Sequence, residues 1–318
     1  MGYPYAYGID IGGTTVKIGL FTVQGELEKK WEIPTRKEEN GSYILSDIAE
    51  AFRQENESRS LDSSAVAGIG IGVPGPVLGN GVVNHCANLG WGVKDIVKEM
   101  TELTGVSCIK AGNDANVAAL GEMWKGGGKG HTNLVMVTLG TGVGGAVIID
   151  GKIIPGAFGA GGEIGHMRVR SDESILCGCG KKGHLEQYAS ATGVVRKAKE
   201  MLSGTDIPST LRDLPNVESK DVFDAAKAGD ELALSIVDFV GDTLGAAMAV
   251  ISSVVDPEVF VFGGGVSKAG AILIDTVKKH FADYAFHVSE KAEFELAKLG
   301  NDAGMYGAVK MILPELPE

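Results

Sequence analysis

Apolar residues recur along this chain with two periods, and the change between them marks the predicted elements. Short runs rich in β-branched and aromatic residues end at glycine turns and predict strands, whereas apolar residues spaced three and four apart predict amphipathic helices. The predicted strands are residues 5–10, 16–21, 29–33, 66–73, 106–110, 134–139, 146–149, 152–154 and 259–262. The predicted helices are residues 43–56, 93–103, 114–124 and 231–255.

The strand, glycine turn, strand pattern that opens the chain returns after residue 134. The first copy contains Ile-Gly-Gly-Thr-Thr at 11–15, and the second contains Gly-Thr-Gly-Val-Gly-Gly at 140–145. The copies lie about 128 residues apart, far beyond the period of about 20–50 residues that marks a solenoid. The pattern predicts an α/β fold of two similar domains with a cleft between them. The expected division is a small domain of residues 1–115 plus 303–318 and a large domain of residues 116–302.

Glycine makes up 47 of 318 residues, about 15%, which is roughly twice its usual share. The glycines cluster in short runs, and a residue without a Cβ lets the backbone approach another group closely. We therefore expect many of them to lie against a ligand. The runs at strand ends, at 12–13, 140–142 and 263–265, are candidates for cradling phosphate with backbone N–H groups.

Two better-known nucleotide motifs do not fit these turns. Gly140-x-Gly142-x-x-Gly145 formally matches the dinucleotide fingerprint, which requires a helix after the turn. Here the chain continues as a predicted hairpin through Asp150-Gly151, a dipeptide typical of tight β-turns. A P-loop does not fit either, because Gly128-Lys129 is followed by glycine instead of serine or threonine.

Charge and composition exclude several functional classes. A net charge of −12 opposes a nucleic-acid surface. No apolar run reaches the ~18 residues of a membrane helix, and the longest candidate, residues 245–255, contains two serines. No secretory signal precedes the first strand, and the four cysteines do not form a disulfide framework. We expect a cytoplasmic protein without nucleic-acid or membrane partners.

Asn113-Asp114-Ala-Asn116 opens a predicted helix and allows two interpretations of its aspartate. Asp114 is either the N-cap of that helix or a carboxylate that receives a proton from an attacking hydroxyl, as phosphoryl transfer requires. A helix N-terminus keeps a carboxylate ionised, which suits both interpretations. Spacing alone favours the cap.

The cysteine pair Cys177-x-Cys179, with His184 downstream and His166 upstream, has the ligand types that tetrahedral Zn²⁺ prefers. This spacing is less specific than C-x₂-C, and two inert thiols are the alternative. Cys86 and Cys108 have no partner pattern and are predicted to be small apolar core residues.

Six motifs in one order resemble the ROK family of bacterial sugar kinases and sugar-responsive repressors. They are Asp10-Ile-Gly-Gly-Thr14, Gly72-Val-Pro-Gly-Pro76, Asn113-Asp114-Ala-Asn116, Gly162-Glu-Ile-Gly-His166, Cys177-Gly-Cys-Gly180 and Leu185-Glu-Gln-Tyr-Ala-Ser190. The paired glycine turns also resemble the wider actin-like ATPase superfamily, in which two hairpins hold the nucleotide phosphates. The resemblance implies a two-lobed actin-like ATPase (ribonuclease H-like) fold.

The resemblance also implies an ATP- and Mg²⁺-dependent hexose kinase in which Asp114 is the catalytic base. The implied sugar ligands are Gly75, Asn88, Asn113, Asp114, Glu163, His166 and Glu186. The implied nucleotide and Mg²⁺ ligands are Asp10, Gly12, Gly13, Thr14, Thr15, Lys17, Thr138, Gly140, Thr141, Gly142, Gly263, Gly264 and Gly265, of which the last three resemble the adenosine-contacting segment. The family binds structural zinc with one histidine and three cysteines. Histidine replaces the third cysteine here, so the implied Zn²⁺ ligands are His166, Cys177, Cys179 and His184.

The resemblance is compatible with several hexose substrates. The run from Cys177 to Ser190 looks most like bacterial glucokinases, so glucose is the expected hexose. Fructose, allose, N-acetylmannosamine and N-acetylglucosamine are alternatives, and a non-catalytic ROK sensor or repressor is another. Repressors of the family carry a helix-turn-helix domain ahead of the nucleotide motif, where this chain has nine residues before Asp10. The resemblance implies a homodimer or homotetramer.

Overall fold

The computed structural model describes residues 4–62 and 65–313. The chain forms two compact units: the first spans Met1–Gly130, Ile153–Gly161 and Lys298–Glu318, and the second spans His131–Lys152 and Gly162–Ala297. The predicted division at residues 115 and 302 differs from this one, and its ends at 1–3 and 314–318 lie outside the described residues. The helix that starts at Asp114 belongs to the first unit because it packs on the C-terminal helix of that unit.

Strands and helices are numbered in chain order. The strands are β1 (Tyr5–Ile11), β2 (Thr15–Thr22), β3 (Leu27–Pro34), β4 (Val66–Val73), β5 (Val82–Cys86), β6 (Trp91–Asp95), β7 (Ile109–Asn113), β8 (Leu134–Leu139), β9 (Val143–Ile149), β10 (Lys152–Ile153), β11 (Val259–Gly263) and β12 (Glu293–Leu296). The helices are α1 (Glu38–Gly41), α2 (Ile44–Ser58), α3 (Ile96–Thr104), α4 (Asp114–Lys125), α5 (Glu186–Ala189), α6 (Ala191–Gly204), α7 (Ser219–Lys227), α8 (Glu231–Val255), α9 (Ala271–Tyr284) and α10 (Ala303–Ile312).

The first unit is built on a five-stranded sheet of order β3-β2-β1-β4-β7. The first three strands are antiparallel, and β4 and β7 join parallel to β1. Asp10 stands beside Gly72 in register, and Gly72 stands beside Gly112. Because parallel strands end at the same edge, this register brings Asp10 and the segment leading to Asp114 to one edge of the sheet.

The second unit repeats this plan with a sheet of order β10-β9-β8-β11-β12. β8 pairs antiparallel with β9 and parallel with β11, which in turn pairs parallel with β12. Strand for strand, this is the arrangement of the first sheet, so the predicted duplication is confirmed. Gly263 stands beside Thr138 in register, and the turns that follow β8 and β11 therefore share an edge.

Apolar side chains cover both faces of the first sheet. Tyr7, Ile9 and Ile11 on β1 pack with the apolar faces of α2 and α3. Alternate residues of a strand point to opposite faces, and Ala6 packs on the other side with α10. In the second unit the corresponding core lies around α8, where Phe260 and Phe294 pack at a centroid distance of 5.3 Å.

Several glycines of the first unit serve helix packing. A Cβ at Gly8 would lie 2.2 Å from the carbonyl oxygen of Met305, and one at Gly307 would lie 1.6 Å from that of Val117. Such distances exclude any side chain, so α10 lies directly on β1 and on α4. The expectation that the glycine excess marks ligand contacts is therefore wrong for these positions, since a packed helix produces the same composition.

Some predicted elements begin or end elsewhere. The predicted helix 93–103 begins only at Ile96, because Asp95 ends β6 and caps the helix, its carboxylate accepting from the Lys98 N–H at 3.0 Å. The strand predicted at 106–110 lies at Ile109–Asn113. The hairpin after β9 is confirmed, with positive φ of 49° at Asp150 and 73° at Gly151.

Helix α8 is long and apolar enough to cross a membrane by length and composition, in contrast to the expectation that no such run exists. In the described part of the chain it is the one helix that passes this test. Its residues contribute extensively to the core of the second unit, including Val240, Leu244 and Met248. Core helices of water-soluble proteins pass the same test, so α8 is explained as a core helix.

Candidate active site

The turn between β1 and β2 is held by backbone hydrogen bonds. The Gly12 N–H donates to the Thr15 carbonyl at 2.9 Å, and the Thr35 N–H donates to the Thr14 carbonyl at 2.9 Å. The Thr35 hydroxyl donates to the Gly12 carbonyl at 2.7 Å. A Cβ at Gly13 would meet no atom within 4 Å, so this side of the turn is open. The predicted phosphate residues of the first unit thus form one braced turn.

Asp10, at the end of β1, lies in an unusual electrostatic environment. Burial raises its pKa from 3.8 to about 6, while the charge of Lys17 lowers it and that of Asp114 raises it. Lys17 stands opposite Asp10 in the hairpin and donates to the Asn301 carbonyl at 3.1 Å. Gly304 also packs here, since its Cβ would lie 2.6 Å from the carboxyl carbon of Asp10. Burial disfavours the ionised form of such a carboxylate, and a bound cation would stabilise that form.

At the start of α4, the residue that caps the helix is not Asp114. The cap is Asn113, whose Oδ1 accepts from the Asn116 N–H at 3.1 Å, and Asp114 is the first helical residue. The interpretation of Asp114 as N-cap is therefore wrong by one residue. Its Oδ1 accepts from the Ala115 N–H at 2.8 Å and from Asn113 Nδ2 at 3.1 Å. Burial raises its pKa, and these hydrogen bonds lower it in part.

Three further predicted sugar residues belong to the same unit as Asp114. Asn113 Nδ2 donates to the Gly75 carbonyl at 3.1 Å, which joins the Pro-Gly-Pro turn to α4. Gly75 has φ of +96°, and its Cβ would lie 3.6 Å from that of Cys86. The Cys86 sulfur accepts backbone hydrogen bonds from the 3₁₀ turn that contains Asn88, whose side chain is exposed. Cys86 itself is buried in the core, as predicted.

The second glycine turn lies between β8 and β9, as predicted. The Gly140 N–H donates to the Gly142 carbonyl at 3.0 Å, and the Ala191 N–H donates to the Gly140 carbonyl at 2.8 Å. The Thr192 hydroxyl donates to the Thr141 carbonyl at 2.9 Å. The N-terminus of α6 therefore braces this turn. Because β9 follows and not a helix, the structure confirms that the dinucleotide fingerprint is accidental.

The third turn adjoins the second. Gly264 has φ of +87°, and its Cβ would lie 2.5 Å from the Leu139 carbonyl oxygen, so only glycine fits against the end of β8. Gly265 has open space around it. Next to it is a cavity of about 140 Å³. The cavity is lined by Ser219, Lys220, Phe223, Asp224, Lys227, Gly265, Val266, Lys268 and Ala269.

The four predicted zinc ligands form one cluster, with all four ligand atoms within 4.8 Å of one another. The Nδ1 atoms of His166 and His184 are 3.3 Å apart, and Cys179 Sγ is 3.4 Å from His184 Nδ1. Cys177 Sγ is 3.8 Å from His166 Nδ1. Tetrahedral Zn²⁺ with ordinary bond lengths separates two nitrogens by about 3.3 Å and nitrogen from sulfur by about 3.5 Å. Donor type and spacing therefore both fit a Cys₂His₂ zinc site.

Glu186 connects this cluster to the second glycine turn. Cys177 Sγ donates to Glu186 Oε1 at 2.7 Å, and burial together with this bond raises the thiol pKa to about 11. Glu186 Oε2 is the atom that a Cβ at Gly142 would meet at 2.8 Å. Glu163 lies 3.9 Å from His166 Nε2, at the other end of the same imidazole. The predicted sugar residues of the second unit therefore surround the metal cluster.

Sequence reasoning missed the groups that support this arrangement. Glu173 accepts from Tyr188 Oη at 2.7 Å and from Arg196 Nη1 at 2.6 Å, and its pKa is lowered to about 2 by hydrogen bonding to the Ile175 N–H and to these side chains. Thr35 and Gly304 were missed as well, because no local motif links them to the turn that they contact. Asn116 Oδ1 is buried and lacks a hydrogen-bond partner in the described part of the chain, as an acceptor kept for water or a ligand would be.

Known proteins resemble this chain over nearly its whole length. A glucokinase from Halalkalibacterium halodurans is 44% identical over 94% of this chain and 92% of its own length. A glucokinase from Thermotoga maritima is 35% identical over 96% of both chains. The solved structure of a ROK family glucokinase from Streptomyces griseus, in complex with glucose and AMPPNP, has a TM-score of 0.71 and 33% identity over 97% of this chain and 99% of that one.

The predicted fold class, the actin-like ATPase fold with two similar α/β domains, is confirmed by these neighbours and by the two matching sheets. The profile of the ROK family matches residues 6–315. Since profile, relatives and structure agree over nearly the full length, this chain belongs to the ROK family.

Proposed function

We propose that this protein is an ATP-dependent glucokinase that phosphorylates glucose to glucose 6-phosphate, with Asp114 as the general base. The observation that carries the proposal is the position of Asp114, which is fixed by Ala115 and Asn113 and lies near the carboxylate of Asp10. A carboxylate has about four acceptor sites, and these two donors leave room for a sugar hydroxyl. Kinases of the same activity are related to this chain over nearly its full length.

Asp114 accepts the proton of the glucose 6-hydroxyl as that oxygen attacks the γ-phosphorus. The bond from the γ-phosphorus to its bridging oxygen breaks, and ADP leaves with the electron pair. Phosphoryl transfer asks little covalent chemistry of a protein, so alignment and charge neutralisation supply most of the rate. The raised pKa of Asp114 makes it a better proton acceptor than an exposed aspartate.

The two braced glycine turns hold the phosphates of ATP in this proposal. Their N–H groups and the hydroxyls of Thr14, Thr15, Thr138 and Thr141 are the donors. Asp10 and Lys17 complete the phosphate and Mg²⁺ site, and bound Mg²⁺ supplies charge neutralisation on the transferred group. The nucleoside occupies the cavity beside Gly265, where Phe223 offers apolar surface and Ser219 offers a hydrogen-bonding group.

Glucose is held by polar side chains and one backbone turn. The proposed sugar ligands are Gly75, Asn88, Asn113, Asp114, Glu163, His166 and Glu186. Carboxylates and amides of this kind each engage one or two neighbouring hydroxyls. They also reject a sugar that lacks one of these hydroxyls, because its buried partner would then be unsatisfied.

Zn²⁺ is proposed as a structural ion held by His166, Cys177, Cys179 and His184. Bound zinc would fix the loop between His166 and Glu186, so that sugar ligands on both sides of it are preorganised. A closed four-ligand site leaves no open coordination position, and no step of the reaction is assigned to the metal. We also propose that the protein is cytoplasmic, since its co-substrate ATP and the lack of disulfide bonds among the described residues suit a reducing compartment. A homodimer or homotetramer is proposed from the ROK resemblance.

A coupled ADP-release assay with a hexose panel tests the proposed function. Glucose is expected to give the highest kcat/KM among glucose, fructose, allose, N-acetylmannosamine and N-acetylglucosamine. A higher value for an N-acetylated sugar would overturn the choice of substrate, and no turnover with any hexose would overturn the assignment as a kinase. Polyphosphate replaces ATP in a second assay that measures glucose 6-phosphate, because transfer from polyphosphate releases no ADP, and the two assays together establish the phosphoryl donor.

A further inference from the structure

Glu122 is a buried carboxylate on α4 to which the proposed reaction gives no role. Its side chain is 1% exposed. Oε2 accepts from the Gly127 N–H at 2.8 Å and from the Lys298 N–H at 2.9 Å, and Oε1 accepts from the Leu299 N–H at 2.8 Å. One side chain thus binds three backbone amides from two segments that are far apart in the sequence.

Both segments lie where the chain passes between its units. The chain crosses after Gly130 and returns at Lys298, and two further crossings lie near residues 153 and 161. Gly127 precedes the first crossing by three residues, and Lys298 and Leu299 are the first residues after the last one. Glu122 therefore holds the first-unit ends of two of the four connections.

The same helix carries Asp114 at its N-terminus. α4 is fixed on α10 without intervening side chains, since a Cβ at Gly121 would lie 2.2 Å from the Ala303 carbonyl oxygen. α10 in turn begins against Asp10 through Gly304. A rigid helix pair therefore runs from the two acidic residues of the site to Glu122, and a change at Glu122 can reach the site through it.

The Glu122 pocket is built for a carboxylate. Three converging N–H groups form an anion-binding nest, and a buried carboxylate is stabilised by such donors. Gly126 borders the pocket so closely that its Cβ would lie 1.9 Å from Glu122 Oε2. An amide at position 122 would direct N–H groups at backbone donors, and a methyl group at position 126 would displace the carboxylate.

We propose that Glu122 is a positioning residue for phosphoryl transfer: it fixes two connections between the units to the helix that carries Asp114. The inference rests on the proposed kinase activity. Residues of this kind act at a distance from the chemistry, and mutating them often changes kcat and KM together. The carboxylate touches neither substrate nor nucleotide in this role.

Two substitutions test the proposal by different routes. Glu122→Gln keeps the size of the side chain and removes its charge, whereas Gly126→Ala leaves Glu122 intact and displaces it. Both are expected to lower kcat per folded molecule by about 10- to 100-fold, as small misplacements of a reacting group do. Amide hydrogen exchange should accelerate at residues 126–128 and 298–300 and remain unchanged in β1 and β4. Glu102→Gln, an exposed substitution on α3, is the matched control and should behave as wild type.

The outcomes separate positioning from mere stability. If either variant folds, loses amide protection at both segments and keeps wild-type kcat and KM, the carboxylate is structural only and the proposal is overturned. Unchanged amide protection in Glu122→Gln, or failure of both variants to fold, overturns it as well. Wild-type turnover is measured first, because its absence would sink the kinase assignment, whereas the exchange data test the hold on the two connections independently.

Discussion

Sγ of Cys177 lies 2.7 Å from Oε1 of Glu186, so a proposed zinc ligand touches a proposed sugar ligand. The other oxygen of the same carboxylate lies at the turn that contains Gly142. The position of the Glu186 carboxylate therefore depends both on the loop that carries Cys177 and on the glycine turn that contains Gly142. Each of these two contacts can be removed by one substitution, with different expected effects on metal content.

Removing the thiol should affect zinc and sugar together. Cys177→Ala is expected to lower the zinc content well below one ion per chain, because it removes a direct ligand. It should also raise KM for glucose on the order of tenfold, because the loop that positions Glu186 then loses its metal support. KM for ATP should change less. Elemental analysis and steady-state kinetics measure both effects, and Cys108→Ala, outside the cluster, should leave them unchanged. Full zinc content in the Cys177 variant would contradict the ligand assignment.

Gly142→Ala should disturb the sugar without releasing zinc. The added Cβ would meet Glu186 Oε2 at 2.8 Å and push the carboxylate away. We expect KM for glucose to rise on the order of tenfold, with zinc content unchanged. Gly92→Ala is the control, since its Cβ would meet no atom within 4 Å. Equal kinetics for the two variants would show that Glu186 does not contribute to sugar binding in this position.

Asn113 combines two roles that serine can separate. Serine is as good an N-cap as asparagine, but it lacks the amide group that donates to Asp114 and Gly75. Asn113→Ser should therefore leave the free energy of unfolding nearly unchanged and lower kcat. Asn113→Ala should in addition cost about 1 kcal/mol of stability. Urea unfolding and the ADP-release assay give both quantities, and wild-type kcat in the serine variant would refute the orienting role.

Asp10 should make the nucleotide-free protein less stable as the pH rises. Burial raises its folded pKa from 3.8 to about 6, so its stabilising contribution is complete below pH 3.8 and is lost as the pH rises through 6. Asp10→Asn should therefore stabilise the first unit at pH 7.5 by roughly 2–3 kcal/mol relative to wild type, and not at pH 3.8. All three tryptophans lie in this unit and report its unfolding. If the difference in unfolding free energy between Asp10→Asn and wild type were the same at both pH values, the raised pKa of Asp10 would be contradicted.

The sequence predicted the parts of the fold that depend on local pattern. β4, β8 and α8 lie where alternation or helical spacing placed them, since runs of buried apolar residues leave few alternatives. The start of α3 was misplaced because residues 93–95 belong to β6, which pairs with β5 across the short link 87–90, and Asp95 caps the helix only where that strand ends. Local periodicity does not contain such pairings.

In the candidate site, too, the sequence predicted the local motifs and missed the contacts between residues that are distant in the sequence. The two glycine turns and the Cys-His cluster each lie within a short stretch of the sequence, and the structure forms the turns and brings the four cluster residues together. The contact of Gly304 with Asp10 and the three amides around Glu122 depend on α10 and on the return of the chain at residue 298. No spacing rule connects these positions. Glycine content was misleading for the same reason, because helix packing at Gly8 and the proposed phosphate turn at Gly12 require the same residue.

The assignment of Asp114 as base is tested most directly by Asp114→Asn. Asparagine retains the size of the side chain and an oxygen that can accept from Ala115, but it does not accept the proton of the attacking hydroxyl. We expect kcat for glucose to fall by about 10²- to 10⁴-fold, while the dissociation constant for glucose, measured by calorimetry, changes only a few-fold. A variant that binds glucose and keeps wild-type kcat would contradict the central claim.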